Sequence, residues 1–230
     1  MKRRLAMAIC TMVALSGAAF AADVPELKGD REKISYSIGM DIGGNLKRQS
    51  VEVDPDLLAQ GVKDSYGGGK TLLTEDEARL AITTFQQTLM AKKAEAMQIL
   101  SEKNKAEGEK FLAENGKKEG VKSLPSGLQY REITPGKGKS PKATDTVTTH
   151  YKGTLIDGTE FDSSYKRGEP ATFPVSGVIP GWTEALQLMK EGAKWRLFLP
   201  PNLAYGERGA GRDIGPNATL IFEVELTLVN

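Results

Sequence analysis

From Thr74 to about Asn115 the chain contains no proline, and only Gly108 interrupts a run of helix formers. Thr74 and Glu77 make a capping box at its start, so the stretch predicts one continuous helix. Roughly 40 residues at about 1.5 Å each give a rod about 60 Å long. Ala78, Ile82, Phe85 and Leu89 mark an apolar seam over the first three turns, expected to pack on the N-terminal part. After Lys92 the seam thins into lysine, glutamate and alanine, and the helix is expected to stand in solvent as a spacer without chemistry of its own. Asn115-Gly116 supplies the stop, and Lys117 to Ser123 read as a hinge.

What precedes the rod falls into two pieces. Lys2, Arg3 and Arg4, the apolar run Leu5 to Leu15 and the small-x-small site Ala19-Phe20-Ala21 read as a signal peptide over residues 1–21, too short to span a bilayer. The chain is therefore expected to be exported to the periplasm, with the outer membrane or cell surface as the alternative. The signal holds three of the 31 basic residues and none of the 30 acidic ones, so the mature charge is 28 minus 30, or −2. That balance gives no reason to expect nucleic-acid binding. The single cysteine, Cys10, lies inside the signal, away from the cleavage junction, so neither lipidation nor a disulfide is expected of the mature protein. Residues 22–73 read as two short helices. Asp30 is placed to cap the first, whose Ile34, Ile38, Ile42 and Leu46 recur at intervals of four beside a second line of Ser35, Gly39 and Gly43. Asp54-Pro55 opens the second, and Gly67-Gly68-Gly69 ends the unit. So short a stretch cannot enclose a core alone, and it is expected to pair with a second copy, the homodimer contact drawn from residues 22–90.

Past the rod the period changes from four to two. Leu128 to Ile133, Asp145 to Thr154, Thr159 to Ser163, Ala171 to Val175, Lys194 to Leu199 and Thr219 to Val229 read as strands divided by glycine and proline, with one short helix from Trp182 to Met189. The last strand alternates, with Leu220, Phe222, Val224, Leu226 and Leu228 on one side. The class is α+β: an antiparallel sheet half-wrapped around a short helix, preceded by an all-α dimerisation unit and a long spacer helix. Residues 74–121 form the helix and hinge, and 122–230 the β domain. Within that domain Asp157-Gly158 reads as a two-residue hairpin turn with positive φ angles, delivering Phe161 and Asp162 side by side to the end of a strand. An apolar ring beside a lone carboxylate is the start of a greasy pocket with one polar handle.

The ordered set HYKGTLIDGTEFDSS at 150–164, VIPGW at 178–182, LAYGERG at 203–209 and IGPNATLIFEVEL at 214–226 resembles the FK506-binding-protein (FKBP) family of peptidyl-prolyl isomerases, from about Gly127 to Asn230. KISYSIGMDIG at 33–43, the long charged helix and SLPSGLQY at 123–130 are similar to its macrophage infectivity potentiator (Mip) subgroup of exported bacterial enzymes. The resemblance implies a pocket for a proline ring built by Tyr151, Phe161, Val178, Ile179, Trp182, Tyr205, Ile214 and Phe222, with Trp182 as floor. It implies Asp162 as the buried carboxylate, Arg167 as its partner, and Tyr205 as the hydroxyl that binds a carbonyl of substrate or inhibitor. Unfolded or proline-containing client proteins are the implied partners, and a macrolide of the FK506 or rapamycin kind the implied inhibitor. Two positions depart from the commonest eukaryotic pattern: Ala171 stands where an aromatic wall residue is usual, and Ala210 with Asp213 replaces a histidine and an aliphatic.

The chemistry is intelligible without the resemblance. Rotating an X-Pro amide costs about 18–20 kcal/mol because resonance is lost, and uncatalysed exchange takes tens to hundreds of seconds. A planar amide is more charge-separated than a twisted one, so an apolar, water-poor pocket favours the twisted form, and no nucleophile, metal or cofactor is required. Tyr205 and the Ile179 amide would hold substrate carbonyls, while Asp162 either orients Arg167 and Tyr205 or touches the twisting bond. His150, the only histidine, has opposite strand parity to Tyr151 and should point away from the pocket. Gly206-x-x-Gly-x-Gly lacks the strand-loop-helix context of a phosphate loop, and the sequon Asn217-Ala-Thr219 opens a core strand. Two functions remain: a dimeric exported isomerase acting on folding proteins, or a client-binding chaperone in which isomerisation is secondary.

Overall fold

The computed structural model describes residues 26–230, so the signal-peptide reading and Cys10 lie outside the described residues. The chain divides between Thr74 and Glu75 into two compact units. The first contains α1 (Asp30–Arg48) and α2 (Pro55–Gly67). Asp54 caps α2 as its sequence predicts, its carboxylate accepting the N–H groups of Asp56 at 2.9 Å and Leu57 at 3.1 Å, with Pro55 at the first helical position. Asp30, in contrast, is not the cap of α1. Gly29 holds that place without a side chain to cap the first-turn N–H groups, and the Glu32 carboxylate reaches back to the Lys28 N–H at 2.8 Å. Ile34, Ile38 and Ile42 are exposed, and apart from the helix's own backbone no heavy atom lies within 4 Å of where a Cβ on Gly39 or Gly43 would sit.

The second unit opens with α3 (Glu75–Asn115), whose 41 residues without proline run unbroken. Seven strands follow: β1 (Val121–Ser123), β2 (Gln129–Thr134), β3 (Thr146–Leu155), β4 (Glu160–Ser163), β5 (Ala171–Pro174), β6 (Lys194–Leu199) and β7 (Leu220–Val229). They form one antiparallel sheet in the order β1-β2-β6-β7-β3-β4, with β5 also paired to β3. Two helices lie among them, the single turn α4 (Ser164–Arg167) and α5 (Pro180–Leu188). Trp182, Ala185 and Leu186 of α5, with Met189 just beyond it, bury themselves against Leu197, Leu199, Leu220, Phe222, Val224 and Leu226 of the two central strands. The α+β class therefore holds, and all six strand readings match to within one residue, with β1 the strand not foreseen.

Three expectations change. The far end of α3 is not a solvated spacer: Ser101, Asn104, Gly108, Phe111, Leu112 and Asn115, recurring every three or four residues, are buried or half-buried on the sheet side. Phe111 meets Phe198 with ring centroids 6.0 Å apart. Asn115 donates to Gln129 at 3.0 Å, and Gln129 donates back to the Leu112 carbonyl at 2.9 Å, so the last turn of the helix is tied to β2. Nor is Lys117 to Ser123 a free hinge, because Val121 to Ser123 pair with Gln129 to Arg131 as β1. The stripe escaped the apolar period because four of its six residues are polar or glycine, and its polar side chains are satisfied by Asn217, the Pro216 carbonyl and Gln129 of the β domain.

The alternation of β7 also breaks. Leu226 lies opposite Thr149 and Leu228 opposite Thr148, so Thr227 is an extra residue, a β-bulge that reverses the parity beyond it. Leu228, expected on the inward side, is consequently 46% exposed, while Val229 is 4% exposed.

Candidate active site

The hairpin between β3 and β4 is a three-residue connection, not the expected two-residue turn. Only Gly158 has positive φ (+89°); its N–H donates to the Leu155 carbonyl at 3.1 Å, and the Leu155 N–H to the Thr159 carbonyl at 2.8 Å. Asp157 instead accepts the Thr159 N–H at 2.9 Å. The pairing then slips: Thr154 faces Glu160 and Gly153 faces Asp162, leaving Phe161 as a bulged residue. Neighbours in a regular strand point to opposite faces. The bulge releases that constraint, and Phe161 and Asp162 both line one cleft of about 730 Å³.

Every residue expected in the pocket lines that cleft: Tyr151, Phe161, Val178, Ile179, Trp182, Tyr205, Ile214 and Phe222, together with Asp162. Trp182, at the start of α5, is 4% exposed and meets three rings edge-on: Tyr151 at 5.2 Å, Phe222 at 5.3 Å and Phe173 at 5.7 Å between centroids. Phe161 crosses Phe222 at 5.5 Å and 84°. Such edge-to-face contacts set each ring against its neighbours' quadrupoles and fix the shape of an apolar floor. Proline at the first position of α5 leaves the helix N-terminus open beside this floor. The Ile179 carbonyl accepts the N–H groups of Trp182 and Thr183, while its own N–H has no partner among the described residues and remains available to a ligand.

Arg167 is not a cleft residue but stands behind one. Its guanidinium pairs with Asp162 and donates to the Tyr151 hydroxyl at 2.7 Å, and that hydroxyl donates to the other Asp162 oxygen at 2.5 Å. Burial raises the Asp162 pKa, but the hydrogen bonds from Tyr151 and Arg167 outweigh it and hold the carboxyl below the ordinary aspartate value. Asp162 is thus ionised with both oxygens engaged. Of the two partners expected for it, Arg167 is present and Tyr205 is not; Tyr151 takes that place. The Tyr205 hydroxyl makes no hydrogen bond among the described residues, and burial, followed by the charge of Asp162, raises its pKa. It is a protonated donor facing the cleft.

Three contributors were not singled out in the sequence. Phe173, two residues past Ala171 on the same strand face, supplies the aromatic wall that Ala171 lacks, and strand parity is the signal that would have found it. Gly153 sits beneath Phe161 and Phe222. Ser164, fully buried, accepts the Tyr151 N–H at 2.8 Å and holds that strand residue in place. His150 lies outside the lining, stacked on Tyr165 at 4.9 Å and bonded to Ser164 at 3.1 Å.

Comparison with known proteins agrees with this geometry. Residues 137–227 match the family described as FKBP-type peptidyl-prolyl cis-trans isomerase, and residues 31–131 the domain amino terminal to it. The outer membrane protein MIP of Legionella longbeachae is 50% identical over 229 residues, 100% of this chain and 98% of that protein. The chain belongs to the FKBP-type peptidyl-prolyl cis-trans isomerases. The peptidyl-prolyl cis-trans isomerase Mip of Coxiella burnetii is 43% identical over 99% of this chain and 98% of its own length. A crystal structure of FkpA from Escherichia coli superimposes with a TM-score of 0.71 at 40% identity, covering 89% of this chain and 99% of that one. In this FKBP-type fold the cleft residues come from β3, β4, β5, the 177–179 segment before α5, α5 itself, β7 and the loop between β6 and β7, so no single segment carries the site.

Proposed function

We propose that the protein catalyses cis-trans isomerisation of X-Pro bonds in exported proteins as they fold. The observation that carries this reading is an apolar cleft floored by Trp182 in which Asp162, the carboxylate beside the rings, is already held by Tyr151 and Arg167. A bond rotation needs neither a base nor a nucleophile. Phe161, Trp182, Phe173 and Phe222 strip water from the proline ring and its amide, favouring the less charge-separated twisted form. The Tyr205 hydroxyl and the Ile179 N–H hold carbonyls of the bound segment on either side of the bond that turns. Asp162 and Arg167 keep Tyr151 fixed as a wall. A macrolide with a proline-like ring and flanking carbonyls fits the same requirements and acts as a competitive inhibitor.

The reading is tested by turnover of a short X-Pro peptide. The wild-type full chain is expected to accelerate exchange, and Asp162→Ala and Phe161→Ala to lose most of that acceleration; a wild-type rate equal to the uncatalysed one overturns the proposal.

Exposed apolar residues of α1, including Ile34 at 59% and Ile38 at 57% exposure, support a paired chain, and with it a second reading, a client-binding chaperone working as a dimer. A contiguous apolar stripe calls for cover. Pairing of two chains through residues 22–90 supplies it, the glycines at 39 and 43 leaving room for a second backbone. Sedimentation of the full chain is expected to give the dimer mass, and Ile38→Asp to give the monomer. Suppression of aggregation that survives Asp162→Ala would establish the chaperone function beside the isomerase. Relatives bearing Mip and outer-membrane names support export beyond the cytoplasm, with the periplasm as the proposed site of action.

A further inference from the structure

One wall of the cleft is a loop, and α3 holds it from behind. Tyr205, Ala210, Gly211, Asp213 and Ile214 face the cleft from the segment between β6 and β7. The segment is braced internally by paired bonds between Ala210 and Ile214, at 2.8 and 3.2 Å, and by the Asn217 N–H, which donates to the Gly206 carbonyl at 2.8 Å, one residue from Tyr205. The anchors to the rest of the protein come from a helix that precedes the β domain in sequence. Asn104 donates to the Pro216 carbonyl at 2.8 Å, and the Asn217 side chain donates to the Ser101 hydroxyl oxygen at 2.8 Å. Asn217 sits in the left-handed region (φ +54°), a conformation that its side-chain bond to Ser101 helps retain.

The fit between the two is close. A Cβ on Gly215 would stand 3.0 Å from the Asn104 amide nitrogen and 3.1 Å from a Leu100 methyl, and one on Gly108 would stand 2.3 Å from the Thr219 hydroxyl. The 215–219 segment therefore lies directly on the helix at both ends, through the Gly215 backbone at one and the Thr219 side chain at the other. Ser101, Asn104 and Gly108 share one stripe of α3, spaced three and four apart, so a single face of the helix makes all of these contacts.

We propose that Ser101 and Asn104 are positioning residues for isomerisation: from the helix outside the β domain they set the Tyr205–Ile214 wall against the substrate. The proposal rests on the isomerase reading of the cleft. Freed from the helix, the loop retains its internal bonds but no longer has a fixed distance from Trp182 and Phe161. Substrate is then held less tightly in ground state and transition state alike, which raises KM with little change in kcat.

The test is steady-state turnover of a short X-Pro peptide by the full chain, too small to engage any other part of the protein. Ser101→Val with Asn104→Ala is expected to raise KM about three- to ten-fold, the effect of losing one or two hydrogen bonds, with kcat within about two-fold and Tm near wild type. Ser101→Thr, which keeps the accepting oxygen at the volume of valine, is expected to keep the wild-type KM where Ser101→Val alone does not. Wild-type KM and kcat in the double variant would overturn the proposal, as would equal effects of Ser101→Thr and Ser101→Val. Failure of the wild-type chain to turn over the peptide would instead overturn the isomerase reading itself.

Discussion

Gly153 of β3 lies directly beneath Phe161: a Cβ built on it would stand 2.6 Å from two atoms of the Phe161 ring and 2.8 Å from the Phe222 ring. The edge-to-face pair that walls the cleft therefore exists only because the strand beside it carries no side chain at this point. The bulge at Phe161 and the absent side chain at Gly153 are two halves of one device. The first brings the ring to the cleft and the second makes room for it.

Gly153→Ala is accordingly expected to damage function more than stability. Overpacking costs about 1–3 kcal/mol, read as a lowered Tm, while displacement of Phe161 and Phe222 lowers kcat/KM by about ten-fold or more. A variant with wild-type turnover would show that the rings relax without loss.

Asp162 gives an acid limb whose sign follows from its partners. Its folded-state pKa lies below its unfolded one, so its contribution to stability is complete above the ordinary value of about 3.9 and is lost as pH falls through the lower folded value. Thermal unfolding of wild type and Asp162→Asn at stepped pH is expected to show a constant difference from neutrality down to about pH 5, closing only in stronger acid. A gap that closes near neutrality would mean the carboxylate is not held by Tyr151 and Arg167.

Tyr205 behaves in the opposite sense. Its raised pKa means that its contribution is present below the ordinary tyrosine value of about 10 and is lost as pH rises through the higher folded one. Turnover should therefore stay flat between about pH 7 and 9. Tyr205→Phe is expected to lower kcat/KM about two- to ten-fold across that range, as loss of one hydrogen bond does.

Gly108 offers a test of the docked helix. In a free helix Gly108→Ala would stabilise by about 1 kcal/mol; here the new methyl meets the Thr219 side chain. The expected result is a destabilisation of about 1–3 kcal/mol that Thr219→Ala largely reverses. Denaturant unfolding of both single variants and the double one measures the coupling, and strictly additive effects would mean that the two residues do not touch.

Elements were readable wherever a local rule acts alone. The absence of proline set the length of α3, β6 was legible from Lys194 to Leu199 without error, and Asp54-Pro55 marked the start of α2. Most of the site was legible too, because Tyr151, Phe161, Asp162, Trp182, Tyr205 and Phe222 stand in an ordered pattern. Phe173 was hidden by attention to Ala171, and the helix stripe by its polarity. Leu228 was misplaced because a one-residue bulge leaves no mark in the periodicity of its own strand.

The sequence alone determined the inventory: two helices, a rod, a β domain, and a set of rings around a single carboxylate. Helix capping, proline exclusion and alternation are properties of neighbours in the chain, and they can be read from it. Only the tertiary structure decided that Asp162 binds Tyr151 rather than Tyr205, that the end of α3 lies on the wall of the cleft, and that Gly153 must be glycine. Each of these depends on which atoms meet across tens of residues, where a slip of one position in a strand exchanges one face for the other.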